Sequence, residues 1–271
     1  MRSVRAFLSL PALGGAVLVL LTSLLPTAHA GPVLDRVRSG GVVRVCIWPD
    51  YYGITFRHPR TRQLDGIDID LSAALGADLR AGVQYVESSF ETLVDDLQAD
   101  RCDVAMFAVG RTPQRMAQLR FTQPYLQSGI YGITTKGHPA VRTWSDIDQP
   151  GVLVGVQAGT FMEPAMEGFL RHARLVVVKP PASRERELGA GRIDVFMTDY
   201  AYSRRLLDNA DWARLMTPPQ PLFVLPYAYA VRPGDEDWLN ALDAFVGRIK
   251  ADGRLRKAAG RHGLDAIVVD R

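Results

Sequence analysis

Apolar and polar positions along this chain switch between two periods. Residues 42–47 (Val-Val-Arg-Val-Cys-Ile) and 104–109 are apolar runs of strand length, and residues 83–86 form a shorter one. Residues 69–79 keep helical spacing between them. Phe90, Leu93, Val94 and Leu97 recur at i, i+3, i+4 and i+7, one face of a helix. Ser88, with Glu91 three positions later, predicts a capping box at its start. Thr112-Pro113 predicts another helix start, threonine as N-cap and proline in the first turn, where its missing N–H is no loss. The resulting β-α-β-α-β order implies parallel strands with helices on both faces.

The order recurs after Pro150: a strand over 152–156, a helix over 160–172, a strand over 175–178, a short helix over 183–190, a strand over 193–197 and a helix over 199–207. Arg101-Cys102-Asp103-Val104 is echoed by Arg192-Ile193-Asp194-Val195, each after a helix and opening an apolar strand. A short phrase recurring in the same topological slot predicts two similar α/β lobes. Residues 130–136 and 223–231 are extended and read as two strands passing between the lobes. Trp238, Leu242, Phe245 and Ile249 then form a helical stripe ended by Gly253, read as core packing. The chain leaves one lobe, builds the other and returns, and two such connections make a hinge.

Composition narrows the class. At 271 residues, 47% hydrophobic, 23% charged and 8% aromatic, the chain is neither disordered nor a disulfide framework. Arg2 and Arg5 precede the first apolar run, and the rest carries 30 Lys and Arg against 29 Asp and Glu. The pI of about 8.9 is therefore no sign of a nucleic-acid partner. Residues 1–30 read as a secretory leader: the basic start, the apolar run to Leu25, the break at Pro26 and the small residues Ala28-His29-Ala30 at a cut site. Cleavage after Ala30 would release an exported chain from Gly31. Cys46 and Cys102 fall on predicted strands, where they read as small core hydrophobes, although export permits a bridge.

Candidate chemistry follows from the sheets. In open α/β sheets ligands bind beyond the carboxyl ends of the strands. That rule selects Gly110, Arg111 and Arg115 from the first lobe, and Gly159-Thr160 and Thr198-Asp199 from the second. A cation from one side, a carboxylate from the other and helix N–H groups near Thr160 suit a small zwitterion. The plainer alternative pairs Arg115 with a surface acid and leaves Asp199 as a helix cap. The sequence has no H-E-x-x-H, G-x-S-x-G or phosphate-loop motif, and His58, His138, His172 and His262 lack ligand spacing. Neither a metal nor a cofactor is expected.

Five segments in order carry a resemblance. Leu64-Asp65-Gly66-Ile67-Asp68-Ile69-Asp70-Leu71, Thr112-Pro113-Gln114-Arg115, Phe121-Thr122-Gln123-Pro124-Tyr125, Gln157-Ala158-Gly159-Thr160 with Glu163, and Gly191-Arg192-Ile193-Asp194-Val195 ending at Asp199 are similar to motifs of family 3 extracellular solute-binding proteins, the amino-acid-binding type. The resemblance implies an α/β, two-lobed periplasmic-binding-protein fold of type II, each lobe a mostly parallel sheet flanked by helices and joined by two hinge strands. Lobe one would comprise 31–133 with 225–271, and lobe two 134–224. It further implies a monomeric periplasmic protein that works with an inner-membrane ABC permease, or a sensor kinase, and binds an amino acid or other small carboxylate. Arg115 would pair with the α-carboxylate, Asp199 with the α-ammonium, and Thr160 beside Gly159 would hold the carboxylate from lobe two. Tyr51 or Tyr52, with Phe90, would wall the side-chain pocket.

The chain departs from the family pattern at two places. Gly110 stands where a Thr or Ser hydroxyl is frequent, with Arg111 next as a possible second cation, and Phe161 replaces a second threonine. A dicarboxylate is therefore a reasonable ligand. Cyclohexadienyl dehydratases are similar in fold and export, and would make Glu163 a catalytic acid. Their glutamate follows directly after G-T-N, whereas Met162 occupies that slot here and Glu163 is one residue on. One residue turns a side chain by roughly 100° about a helix. Binding without catalysis is the expectation.

Overall fold

A computed structural model describes residues 31–270. The expected leader and its cut after Ala30 lie outside the described residues. Two sheets organise the chain. The first orders its strands Gly82–Glu87, Val42–Ile47, Val104–Gly110, Leu225–Val231 and Arg120–Phe121, with Leu126–Ser128 also paired to Leu225–Val231. The first three run parallel, in register Val42 to Gly82 through Ile47 to Glu87 and Val45 to Val104, and Leu225–Val231 lies antiparallel to Val104–Gly110. The second sheet orders Arg174–Val178, Leu153–Gln157, Val195–Thr198, Tyr131–Thr135 and Ala213–Met216, again three parallel strands followed by an antiparallel one.

The repeated phrase has a shared physical role. Asp103 donates its N–H to the Arg44 carbonyl (2.8 Å), and its carboxylate accepts the Arg44 N–H (2.7 Å). Asp194 makes the same pair with Leu153, at 2.8 and 2.7 Å. In each lobe the aspartate clamps the first strand to the third, and the arginine two residues earlier donates its N–H to the preceding helix, to Asp96 or to Glu187.

Each strand expected to pass between lobes belongs to one sheet: Tyr131–Thr135 to the second, Leu225–Val231 to the first. The chain crosses just outside them, at residues 129–130 and 217–224, where the Ile130 N–H donates to the Leu222 carbonyl (2.9 Å) and ties the crossings together. A ladder must satisfy every backbone group from one sheet's neighbours, so the change of sheet falls in the irregular segments.

Three local expectations are corrected. Ser88 and Glu91 form no capping box: the Ser88 hydroxyl donates to buried Asp96 (2.6 Å), Ser89 accepts the Thr92 N–H, and the helix begins only at Leu93. Phe90 is thereby left outside the helix, packed edge-on against Trp48, Tyr51 and Phe107. The helix expected over 160–172 spans only Met162–Phe169, because the N–H groups of Arg171, His172 and Ala173 turn onto the Asp148 carboxylate. Finally, Cys46 and Cys102 are not separate core hydrophobes but a disulfide. Cys102 precedes the strand Val104–Gly110 rather than lying in it, so strand alternation does not fix its direction, and its Cα stands 5.6 Å from that of Cys46.

The bridge closes a loop between residues 56 apart in sequence. Replacing both cysteines by alanine should cost about 2–4 kcal/mol, since the unfolded chain regains the entropy that the cross-link removes. Urea unfolding of the double variant measures this as a lower midpoint, and an unchanged midpoint would contradict the bridge.

Candidate functional site

The carboxyl ends of the parallel strands in both sheets face a common cleft. On the first lobe, Thr112 caps the turn Pro113–Met116, its hydroxyl oxygen accepting the Arg115 N–H (3.2 Å), so the threonine-proline start fixes where Arg115 leaves the backbone. Its Nη1 donates to the Gly110 carbonyl (3.2 Å), and its Nη2 reaches the other lobe, donating to the Gly159 carbonyl (2.8 Å). The guanidinium carbon stands 5.3 Å from the Phe90 ring centre. Burial pushes the Arg115 pKa down to about 10, opposed by the phenols of Tyr227 and Tyr51, so the group is cationic at neutral pH.

Asp199 follows the strand Val195–Thr198 in the second lobe. One carboxylate oxygen accepts the Tyr202 N–H (2.9 Å) and caps the helix Tyr200–Asn209. The other accepts the hydroxyls of Tyr51 and, at 3.0 Å, Tyr227, both from the first lobe. Asp199 is thus a helix cap and a link between lobes at once. Burial raises its pKa, against the Tyr51, Tyr202 and Tyr227 donors and the nearby Arg184 cation.

Beside Asp199 lies a small inner cavity with a mainly aromatic wall, Trp48, Tyr51, Phe90, Phe161, Tyr202 and Tyr227, while Arg115 faces the adjoining outer groove, which shares Phe90, Thr160 and Phe161 with it. Gly110 and Thr160 line the inner cavity too. A Cβ on Gly110 would stand 2.5 Å from Leu225 Cδ2, so a side chain there would require Leu225 to turn aside. Gly159 has φ +72°, and a Cβ on it would lie 2.5 Å from the Glu91 nitrogen; the lobes approach backbone to backbone at that point. The Thr160 hydroxyl donates to the Gln157 carbonyl (2.7 Å).

Other expected residues sit elsewhere. Tyr52 does not line the cavity; it stacks on Phe56 at 4.2 Å and meets Tyr202 edge-on at 5.1 Å. Arg111 is likewise absent from the wall, half-buried, with its N–H on the Pro226 carbonyl and its Nε without a partner. Glu163 turns back to accept the Gly159 N–H (3.0 Å) and faces an outer groove, whereas Met162 lines the inner cavity.

Sequence reasoning missed several wall residues, Tyr227, Trp48, Tyr202 and Arg184 among them. Tyr227 had a signal, the large-small alternation of Leu225-Pro226-Tyr227-Ala228-Tyr229-Ala230. Trp48 and Tyr202 carry no local signal that sets them apart from core aromatics. Arg184 sits in Arg-Glu-Arg-Glu, which resembles a solvated charge run, and only the fold reveals that it is buried.

Asp68 shapes the floor. Ala108, on the cavity wall, has φ +49°, in the left-handed region, and the paired strand shifts register between Ala228 and Ala230. Buried Asp68 receives the Ala108 N–H (3.0 Å) and the hydroxyls of Tyr125 (2.5 Å) and Tyr229 (3.2 Å), which holds this irregular strand end. Burial pushes its pKa up to about 7 despite those three donors.

The folded protein keeps the Asp68 proton up to about pH 7, whereas the unfolded chain releases it near 3.8. Over that window the folded state binds more protons, so this group's contribution falls as pH rises, with a limiting slope of about 1.4 kcal/mol per unit. The stability advantage of the natural chain over Asp68→Asn should therefore shrink from pH 5 to pH 8 in urea unfolding. An advantage that grows with pH would show that the donors keep the carboxylate ionised instead.

The profile of bacterial extracellular solute-binding proteins, family 3, matches residues 43–264. The chain is 30% identical over 225 residues to a cyclohexadienyl dehydratase of Pseudomonas aeruginosa, covering 83% of each. It is 26% identical over 216 residues to an ABC transporter arginine-binding protein of Escherichia coli, covering 76% of this chain and 87% of that one. Among solved structures, an ancestral amino acid-binding protein described as a precursor of cyclohexadienyl dehydratase superposes with a TM-score of 0.76 at 28% identity, covering 84% of this chain and 98% of its own. The relatives thus include binding proteins and an enzyme.

Proposed function

Since this chain belongs to the bacterial extracellular solute-binding proteins, family 3, we propose that it is the periplasmic binding component of an ABC-type uptake system and closes on an amino acid or similar small carboxylate. One observation carries the reading. A buried guanidinium of one lobe and a buried carboxylate of the other meet groups across the cleft of the kinds a zwitterion would replace. A ligand carboxylate takes the place of the Gly159 carbonyl on Arg115, where the planar fork suits two parallel bonds. A ligand ammonium takes the place of the Tyr51 and Tyr227 hydroxyls on Asp199. Bonds to charged partners are worth about 1.5–3 kcal/mol against about 1 for neutral ones, so both exchanges favour the ligand.

The two crossings at 129–130 and 217–224 act as the hinge, and closure presents a joint surface of both lobes to an inner-membrane permease, or to a sensor kinase. Residues 1–30 direct export and are cut after Ala30, and the mature chain acts as a monomer.

A second reading, a lyase like the cyclohexadienyl dehydratases, is favoured by the 30% identical relative of that name. Dehydration needs a carboxylic acid held protonated against the leaving hydroxyl. Met162 on the inner wall and Glu163 engaged with the Gly159 N–H weigh against that role.

A thermal-shift screen of amino and organic acids should find at least one that raises the melting temperature. Arg115→Ala should weaken that ligand by roughly 2–5 kcal/mol, as expected when one partner of a buried charge pair is removed. Full affinity in the variant, or catalytic loss of prephenate followed by ultraviolet absorbance, would overturn the reading.

A further inference from the structure

We propose that Arg184 is a second anion-recognising group of the cleft, and that the bound solute carries a second carboxylate, as aspartate, glutamate or a comparable dicarboxylate does. The inference rests on the binding function proposed above and deepens it.

Arg184 opens the short helix Arg184–Gly189, and its side chain is 3% exposed. It lines the same inner cavity as Asp199 and Tyr202. Its guanidinium carbon lies 4.4 Å from the Tyr202 ring centre and 5.1 Å from that of Phe196, so two aromatic faces fix the orientation of the plane. Among the described residues it forms one hydrogen bond, Nη1 donating to the Met197 carbonyl (2.8 Å). A guanidinium offers five N–H donors. Among the described residues no acid forms a salt bridge with Arg184, and burying a cation without a paired anion is unfavourable.

The charges of the cleft then decide the ligand class. Arg184 and Asp199 line the inner cavity, and Arg115, in the adjoining outer groove, reaches its edge at Gly110 and Phe90, so two cations meet there against one acid. A zwitterion adds no net charge, so one cation stays uncompensated unless the ligand brings a second carboxylate. Neighbouring acids do not supply it. Glu185 accepts the Tyr202 hydroxyl, Glu163 shares the outer groove with Arg115 but is engaged by the Gly159 N–H, and none of Glu185, Glu163 and Asp50 lines the inner cavity. Arg111, the second cation expected from the sequence, is not on the wall either. A ligand with a cationic side chain would meet Arg184 with no acid left to receive it, unlike what the name of the arginine-binding relative implies for that protein.

Isothermal titration on the chain from Gly31 tests this with L-aspartate, L-glutamate, L-asparagine, L-glutamine, L-arginine and succinate. The expected result is that aspartate or glutamate, or succinate if the ammonium is dispensable, binds at least tenfold more tightly than the amides or arginine. Arg184→Gln should lower affinity for the acid at least tenfold more than it lowers that for the amide, collapsing the ratio. Arg184→Lys, which keeps the charge without the planar fork, should fall between. An amide or arginine bound as tightly as the acid, in an Arg115-dependent way, would overturn this inference and leave the binding function standing. Binding that ignores Arg115 would instead sink the binding site itself. Should the Arg184 variants fail to fold, the preference of the natural chain alone decides.

Discussion

Two buried groups of opposite charge type, one from each lobe, need partners where the lobes meet. Arg115 reaches the Gly159 carbonyl across the gap, and Asp199 receives the hydroxyls of Tyr51 and Tyr227 from the other side. These bonds join the lobes alongside the ion pairs Lys179–Glu91 and Arg205–Asp65, which are far more exposed, so the two buried groups carry most of what a ligand could exchange. Gly159, pressed against the backbone at Glu91, marks how closely the lobes approach. Any solute that serves the two charges better than a carbonyl and two phenols inherits the leverage to hold the lobes closed.

Much of the architecture was legible because it rests on periodicity and on short-range chemistry. The strands Val42–Ile47 and Val104–Gly110, the threonine-proline start ahead of Arg115 and the stripe Trp238, Leu242, Phe245 and Ile249 all express local rules. The echoed arginine-x-aspartate phrase reflects one clamp used twice, Asp103 on Arg44 and Asp194 on Leu153. What failed was tertiary choice. Ser88 was drawn to the buried Asp96 rather than to its own helix, and Cys102 reached Cys46 because a turn freed its direction. Arg184 was hidden in a charge run because nothing local says that a neighbouring pair of rings will cover it.

The departures from the family motifs acquire physical reasons. At position 110 the Leu225 side chain fills the space that a Cβ would enter, so glycine and Leu225 pack as a pair there. Phe161 adds an aromatic face near Tyr227, at 6.4 Å between ring centres, in a wall already dominated by rings. The result is an apolar cleft with charge confined to a few fixed points, an arrangement that selects small acids by where their charges fall.

A crystal structure of the complex with the tightest-binding acid tests the central claim most directly. The account predicts a ligand carboxylate on the Arg115 guanidinium where the Gly159 carbonyl now lies, and a ligand donor on Asp199 where the two tyrosine hydroxyls now converge. A ligand seated elsewhere, with the Arg115–Gly159 and Tyr51–Asp199 bonds intact, would contradict it.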